Sequence, residues 1–96
     1  MSYIGKKVIV RGEYSGVYFG TLAQLEGRQV KLTNVRNIWY WEGAASTMQI
    51  ATNGVDQLAS KVTVALDSIV LLDAIAILPC TTVAVENLES TPVWKN

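Results

Sequence analysis

Five glycines, Gly5, Gly12, Gly16, Gly20 and Gly27, punctuate the N-terminal part of the chain, and the segments between them are short and rich in β-branched and aromatic residues. That pattern leaves no room for a long helix and describes strands joined by tight turns. Residues 6–11 read as a first strand, followed by a turn over 12–16, and 17–25 as a second. Glu26-Gly27 reads as a hairpin turn, with Gly27 free to take positive φ. Residues 28–33 follow as a third strand, where Val30 and Leu32 alternate with Gln29 and Lys31. Residues 35–41 read as a fourth, with Arg36 and Asn37 close to a bend.

The second half mixes signals. Ser46-Thr47-Met48-Gln49 fits a capping box that opens a helix, and Asn53-Gly54 closes it. Residues 61–66 alternate as a half-buried strand does. Residues 69–78 are almost continuously apolar and suit a central strand bent at Asp73, ended by Pro79. Thr81 or Thr82 caps a second short helix reaching Leu88. Residues 91–94 form an extended tail whose Trp94 packs back on the body. The fold class is therefore mainly β (α+β): one domain over 1–96, a small, strongly bent sheet or barrel with one or two short helices. The apolar stretch 69–78 is also a candidate subunit interface.

Charge and residue usage remove several functions. Among 96 residues, eight basic ones balance eight acidic ones, and histidine is absent. Proteins that hold polymeric nucleic acid by its phosphates carry a basic stripe, and none is visible here. A ligand with one or two phosphates needs only a few cations, so it stays in play. Cys80 is the single cysteine. An internal disulfide and the usual zinc sites are excluded, and the chain reads as cytoplasmic. No apolar run is long enough to span a bilayer. With no histidine to activate Cys80 or any serine, nucleophilic catalysis has no base, and the chain reads as a non-enzyme. Asp67 and Asp73 are the one carboxylate pair whose spacing places them on one face of a regular strand. The stretch from Gly12 to Gly20 lacks the lysine and the helix of a phosphate loop, although backbone N–H groups of such a turn can still hold an anion. No cofactor is implied.

The strongest functional signal is Asn34-Val35-Arg36-Asn37-Ile38-Trp39-Tyr40-Trp41, which holds two of the three tryptophans beside one of the three arginines. Alternation in a strand would put Trp39 and Trp41 on one face and Ile38 and Tyr40 on the other. Aromatics can serve a core or stack on a ligand ring; an arginine and asparagines beside them favour a ligand. Two base stacks, each about 1–3 kcal/mol, plus an arginine–phosphate contact would hold a small nucleotide.

Val10-Arg11, Ser15-Gly16-Val17, Phe19-Gly20-Thr21-Leu22, the Asn34–Trp41 run, Gly43-Ala44-Ala45-Ser46 and Val93-Trp94 together resemble a widespread family of small phage proteins, and in activity the anti-CBASS cyclic-nucleotide sponges. The resemblance implies an immune-evasion protein that sequesters a cyclic dinucleotide, such as cGAMP, in the host cytoplasm without cleaving it. It also implies a homo-oligomer, dimer or tetramer, with no polymeric nucleic acid and no membrane as partner. The expected ligand-binding residues are Arg11, Tyr14, Ser15, Tyr18, Asn34, Arg36, Asn37, Trp39, Tyr40 and Trp41, with Arg11 and Arg36 facing phosphates. Asn37 stands where the resembled sequences often carry a basic residue, which bears on the phosphate contact. The alternative is a phage structural or protein-interaction module that inhibits a host protein.

Overall fold

A computed structural model describes residues 2–95. Along the chain lie β1 (Lys7–Gly12), β2 (Val17–Glu26), β3 (Gln29–Tyr40), α1 (Thr47–Asn53), β4 (Lys61–Val62), β5 (Leu66–Leu71), β6 (Ala74–Pro79) and α2 (Thr82–Ser90). The strands form one antiparallel sheet in the order β4-β3-β2-β1-β6, and β5 pairs with the first half of β3, beside β4. The fold is thus a β-rich α+β arrangement, as the glycine-punctuated segments predict.

β5 and β6 lie at opposite edges of the pairing order, yet only Leu72 and Asp73 join them. Three residue steps reach about 10–11 Å at most. The sheet must therefore curl until its two edges nearly meet. No ladder joins β5 to β6, so the sheet is not closed into a barrel.

The curl creates two cores. Val8, Val10, Leu22, Val30, Leu32, Val35, Leu71 and Ala74 form one cluster, all contributed by the strands. A sheet can pack on itself only inside its own curl, so this is the concave interior. Ile9, Val17, Phe19, Ile38 and Val62 form the second, packed with Ile50, Ala51, Val55 and Leu88 from α1, α2 and the adjoining chain. β1 serves both, and Val8, Ile9 and Val10 are fully buried. β2 and β3 also contribute to both clusters, and β1, between β2 and β6, is buried on both faces over consecutive residues. Residues 69–78, expected to be one central strand, are instead two edge strands broken at Leu72-Asp73. Leu66, Val70, Leu72 and Ile75 remain exposed there.

Two further expectations change. Residues 28–33 and 35–41 are one strand, β3, bent at Asn34, whose φ is 48°. Between the pairs Thr21↔Thr33 and Phe19↔Arg36, β3 spends three steps against two on β2. That extra residue is a β-bulge, and it reverses which face each later side chain takes. Val30 and Leu32 point into the curl; after the bulge Val35 does, and Arg36 and Ile38 turn toward the helices. Gly20 faces the bulge, where an added Cβ would lie 3.0 Å from the Thr33 carbonyl oxygen and 3.2 Å from Val35 Cα. The strand expected over 61–66 shortens to β4, with β5 beginning at Leu66.

The helix ends follow the sequence closely. The Ser46 side chain accepts from Gln49 N–H at 3.2 Å, and Gly54 with φ 85° caps α1. Gln49 reaches back to the N–H of Ala45 rather than that of Ser46. Thr81 is the cap of α2, accepting from Ala84 N–H at 3.1 Å.

Candidate functional site

The ten expected ligand residues separate into distinct places. Tyr14 is exposed at the tip of the β1–β2 loop, with Arg11 exposed at the end of β1. Ser15 in the same loop donates its hydroxyl to Asp73 Oδ1 at 2.7 Å. The backbone N–H groups of Tyr14 and Ser15 donate to Asp73 Oδ2 at 2.7 and 2.9 Å. The anion that this turn holds is therefore the protein's own. The Ser15 hydroxyl, then the Tyr14 N–H, hold the Asp73 carboxyl below its usual pKa. Tyr18 packs against the inner cluster and donates its hydroxyl to the Ser15 carbonyl at 3.0 Å. Asp67, on β5, shares no hydrogen bond with this arrangement, and among the described residues no cluster of three His, Cys, Asp or Glu could hold a metal.

Arg36 is buried. Its Nε donates to the Thr63 carbonyl at 2.8 Å, Nη1 to those of Leu88 and Thr91 at 2.7 and 2.8 Å, and Nη2 to that of Val62 at 3.3 Å. A guanidinium has five N–H groups, so four are occupied by carbonyls. Burial lowers its pKa. The Leu88 carbonyl lies in the last turn of α2, the negative end of that helix, where a cation is favoured. An open groove of about 250 Å³ runs past Asn34, Arg36, Thr91 and Val93, and Glu89 also lines it. A spent guanidinium beside a carboxylate is a poor phosphate seat. Asn37 is also committed: its side-chain amide donates to the Val17 carbonyl at 3.1 Å and its backbone N–H to Thr63 Oγ1 at 2.9 Å.

Trp39 and Trp41 do not share a face. β3 ends at Tyr40, and its register with β4 shifts between Ile38 and Tyr40, so simple alternation stops there. Trp41 packs with Ile38 on the helix-side core and donates Nε1–H to the Ala44 carbonyl at 3.2 Å. Trp39 instead is 60% exposed. It stacks on Trp94, with ring centroids 5.0 Å apart and planes 21° from parallel. Lys61 Nζ stands 5.4 Å from both indole centroids and 5.8 Å from the Tyr40 ring. Tyr40 donates its hydroxyl to Glu42 Oε2 at 2.7 Å, and that bond, more than burial, raises the phenol's pKa and keeps it a neutral donor.

Of the ten residues, then, Trp39 and Tyr40 come together at the surface with a cation. Lys61 is not among the residues that the sequence singles out. No motif marks Lys61; the β3–β4 ladder, which pairs it with Tyr40, brings it in. Trp94, expected to pack back on the body, does so: its N–H donates to the Val62 carbonyl at 2.9 Å, and Val93 bridges Val62 in parallel.

No helix among the described residues is long and apolar enough to cross a membrane. No curated protein and no solved structure matches the chain. Residues 5–88 match a family described as "Domain of unknown function (DUF6948)", a span that includes Trp39, Tyr40 and Lys61 and ends before Trp94. The chain belongs to the DUF6948 family.

Proposed function

We propose that this protein is a binding module that sequesters a cyclic dinucleotide, such as cGAMP, intact, and that it does so as a homo-oligomer in the cytoplasm of a phage-infected host. The observation that carries the reading is the stack of exposed Trp39 on half-buried Trp94, with Lys61 equidistant from both rings. An indole face accepts any nucleobase, and an ammonium beside it meets the phosphate that a nucleotide carries near its base. One such site offers one stack of about 1–3 kcal/mol and one charged contact of about 1.5–3 kcal/mol. That is modest once association costs are met. A cyclic dinucleotide repeats base and phosphate about an approximate twofold axis, so two copies of the chain related by a twofold would present the site twice to one ligand. The resemblance to phage cyclic-nucleotide sponges points to the same ligand class.

Isothermal titration against a panel of cyclic dinucleotides tests the reading, followed by heating the complex and identifying what is released. Binding with intact ligand recovered supports it. Recovery of a linear or hydrolysed product replaces sequestration by catalysis, and no binding across the panel removes the ligand class. In that last case the second reading gains: a protein-interaction module, for which the exposed Leu58, Met48 and Leu72 supply apolar contact surface.

A further inference from the structure

We infer that the C-terminal tail, residues 91–94, forms half of the nucleotide site, that Lys61 is its phosphate contact, and that Arg36 is the positioning residue which sets the tail in place. The inference rests on the nucleotide-binding reading above and assigns that function to residues outside the Arg11–Trp41 block.

All three parts of the exposed cluster are reached from one guanidinium. Arg36 Nη1 donates to both the Leu88 and the Thr91 carbonyl, at 2.7 and 2.8 Å. One nitrogen thus bridges the last turn of α2 and the first residue of the tail, fixing the direction in which the chain leaves the helix. Trp94 follows three residues later. Nη2 and Nε hold the Val62 and Thr63 carbonyls, at 3.3 and 2.8 Å. Lys61 immediately precedes Val62, and the Val62 carbonyl also accepts the Trp94 N–H at 2.9 Å. Trp39 lies three residues beyond Arg36 on β3 itself. Trp39, Lys61 and Trp94 are therefore each within three residues of a carbonyl held by Arg36 or of Arg36 itself.

The tail is not a loose cover. Thr91 is buried, Val93 bridges Val62, and Trp94 is stacked before any ligand arrives. A wall formed in advance loses little side-chain entropy on binding, which raises the affinity available from a single stack. Lys61 is the cation suited to the anion. It is half-buried along its length with its ammonium by the rings, whereas Arg36 has spent four of its N–H groups on carbonyls. A nucleoside, which has the base but no phosphate, would use the indoles and leave Lys61 idle.

The test is titration of the full chain with cyclic GMP–AMP, beginning with the unsubstituted protein; failure to bind that ligand and the rest of the panel would sink the nucleotide reading itself, before any variant is made. Given binding, Trp94→Ala is expected to weaken it at least tenfold, the size of one lost base–aromatic contact. Lys61→Met keeps the apolar stem and is expected to weaken binding about tenfold and flatten its salt dependence, while nucleoside binding stays unchanged. Both positions are half-buried and lie outside the two core clusters. Arg36→Lys is expected to weaken binding and to remove the exciton couplet that the stacked indoles give in circular dichroism. In a Trp94→Ala background Arg36→Lys should weaken binding by less than it does in the parent, because part of its effect passes through the tail and the rest through the strand that carries Lys61. Unchanged affinity in Trp94→Ala or Lys61→Met, or a full additional loss from Arg36→Lys in the Trp94→Ala background, would overturn the assignment.

Discussion

Arg36 and Trp39 stand three residues apart on β3 and occupy the reverse of the places their polarity suggests: the guanidinium is 6% exposed and the indole 60%. Taking a charge out of water costs several kcal/mol. Four bonds from a charged donor to carbonyls, each about 1.5–3 kcal/mol, offset that cost and join α2, the tail and β4 to the sheet. Leaving most of an indole in water gives up burial of roughly 2–4 kcal/mol. The same few residues thus hold a polar group that serves stability and an apolar group that does not serve it well. An exposed indole so placed is where a ligand has most to gain. The switch between the two is the Asn34 bulge, which sends Arg36 inward to the helix side.

The largest effect should come from breaking the buried half. Arg36→Met matches the stem but leaves the Val62, Thr63, Leu88 and Thr91 carbonyls without their shared donor. We expect a loss of about 2–4 kcal/mol. At roughly 4–8 °C per kcal/mol for a chain of this size, thermal unfolding should show a fall in Tm of the order of 10–25 °C. A fall of a degree or two would mean that Arg36 is free for a ligand after all, and the contrast with Trp39 would collapse.

Next comes the bulge that sets the contrast. Gly20→Ala puts a Cβ 3.0 Å from the Thr33 carbonyl oxygen and 3.2 Å from Val35 Cα, both backbone atoms that cannot swing aside. Chemical denaturation should report a loss of about 1–3 kcal/mol. At Asn34, with φ 48°, Ala should cost about 1 kcal/mol and Gly almost nothing, because only the former is strained in the left-handed region. If both substitutions at Asn34 are neutral, the bulge is not what directs Arg36.

How much of this was open to sequence reading depends on how local the cause is. The strands between glycines, the Ser46 and Thr81 caps and the Gly54 stop are each decided by a few adjacent residues, and each was legible. The bulge was not. One residue with positive φ reverses the alternation after it, and Asn34 lies in a stretch that reads as strand on both sides. Residues 69–78 look like one buried strand because the curl that separates their two halves is a property of the whole sheet. Lys61 was invisible for the same reason: its partners are 20 or more residues away in either direction. Within the aromatic run Arg36 is buried together with Val35 and Ile38, while Trp39 is exposed and Trp41 half-buried.

A pH titration sharpens the view of the core that receives Arg36. Cys80 packs against that cluster, and burial pushes its thiol up to about 11. The folded pKa lies above the unfolded value of about 8.5, so the neutral thiol's contribution is complete below about pH 8.5 and is lost as pH rises toward about 11. Allowing for the solvent that reaches the half-buried side chain, the decline should be of the order of 1 kcal/mol. Denaturation midpoints measured from pH 7 to 10.5 should fall in the parent and fall less in Cys80→Ala. An identical slope in both would show that water already reaches the thiol.

The smallest effect on stability should come from the exposed half. Trp39→Ala removes a stack worth about 0.5–1.5 kcal/mol beyond its burial, from a ring that is 60% exposed. Lys61 also loses a cation–π contact of about 0.5–1 kcal/mol, part of which its remaining neighbours, Tyr40 and Trp94, restore. The Trp94 backbone stays held by the Val62 carbonyl, so the tail does not detach. We therefore expect a Tm shift well below that of Arg36→Met, with the far-ultraviolet spectrum losing only its indole couplet. A loss as large as that of Arg36→Met would place Trp39 among the residues that hold the fold together, and its exposure would then need a structural rather than a binding explanation.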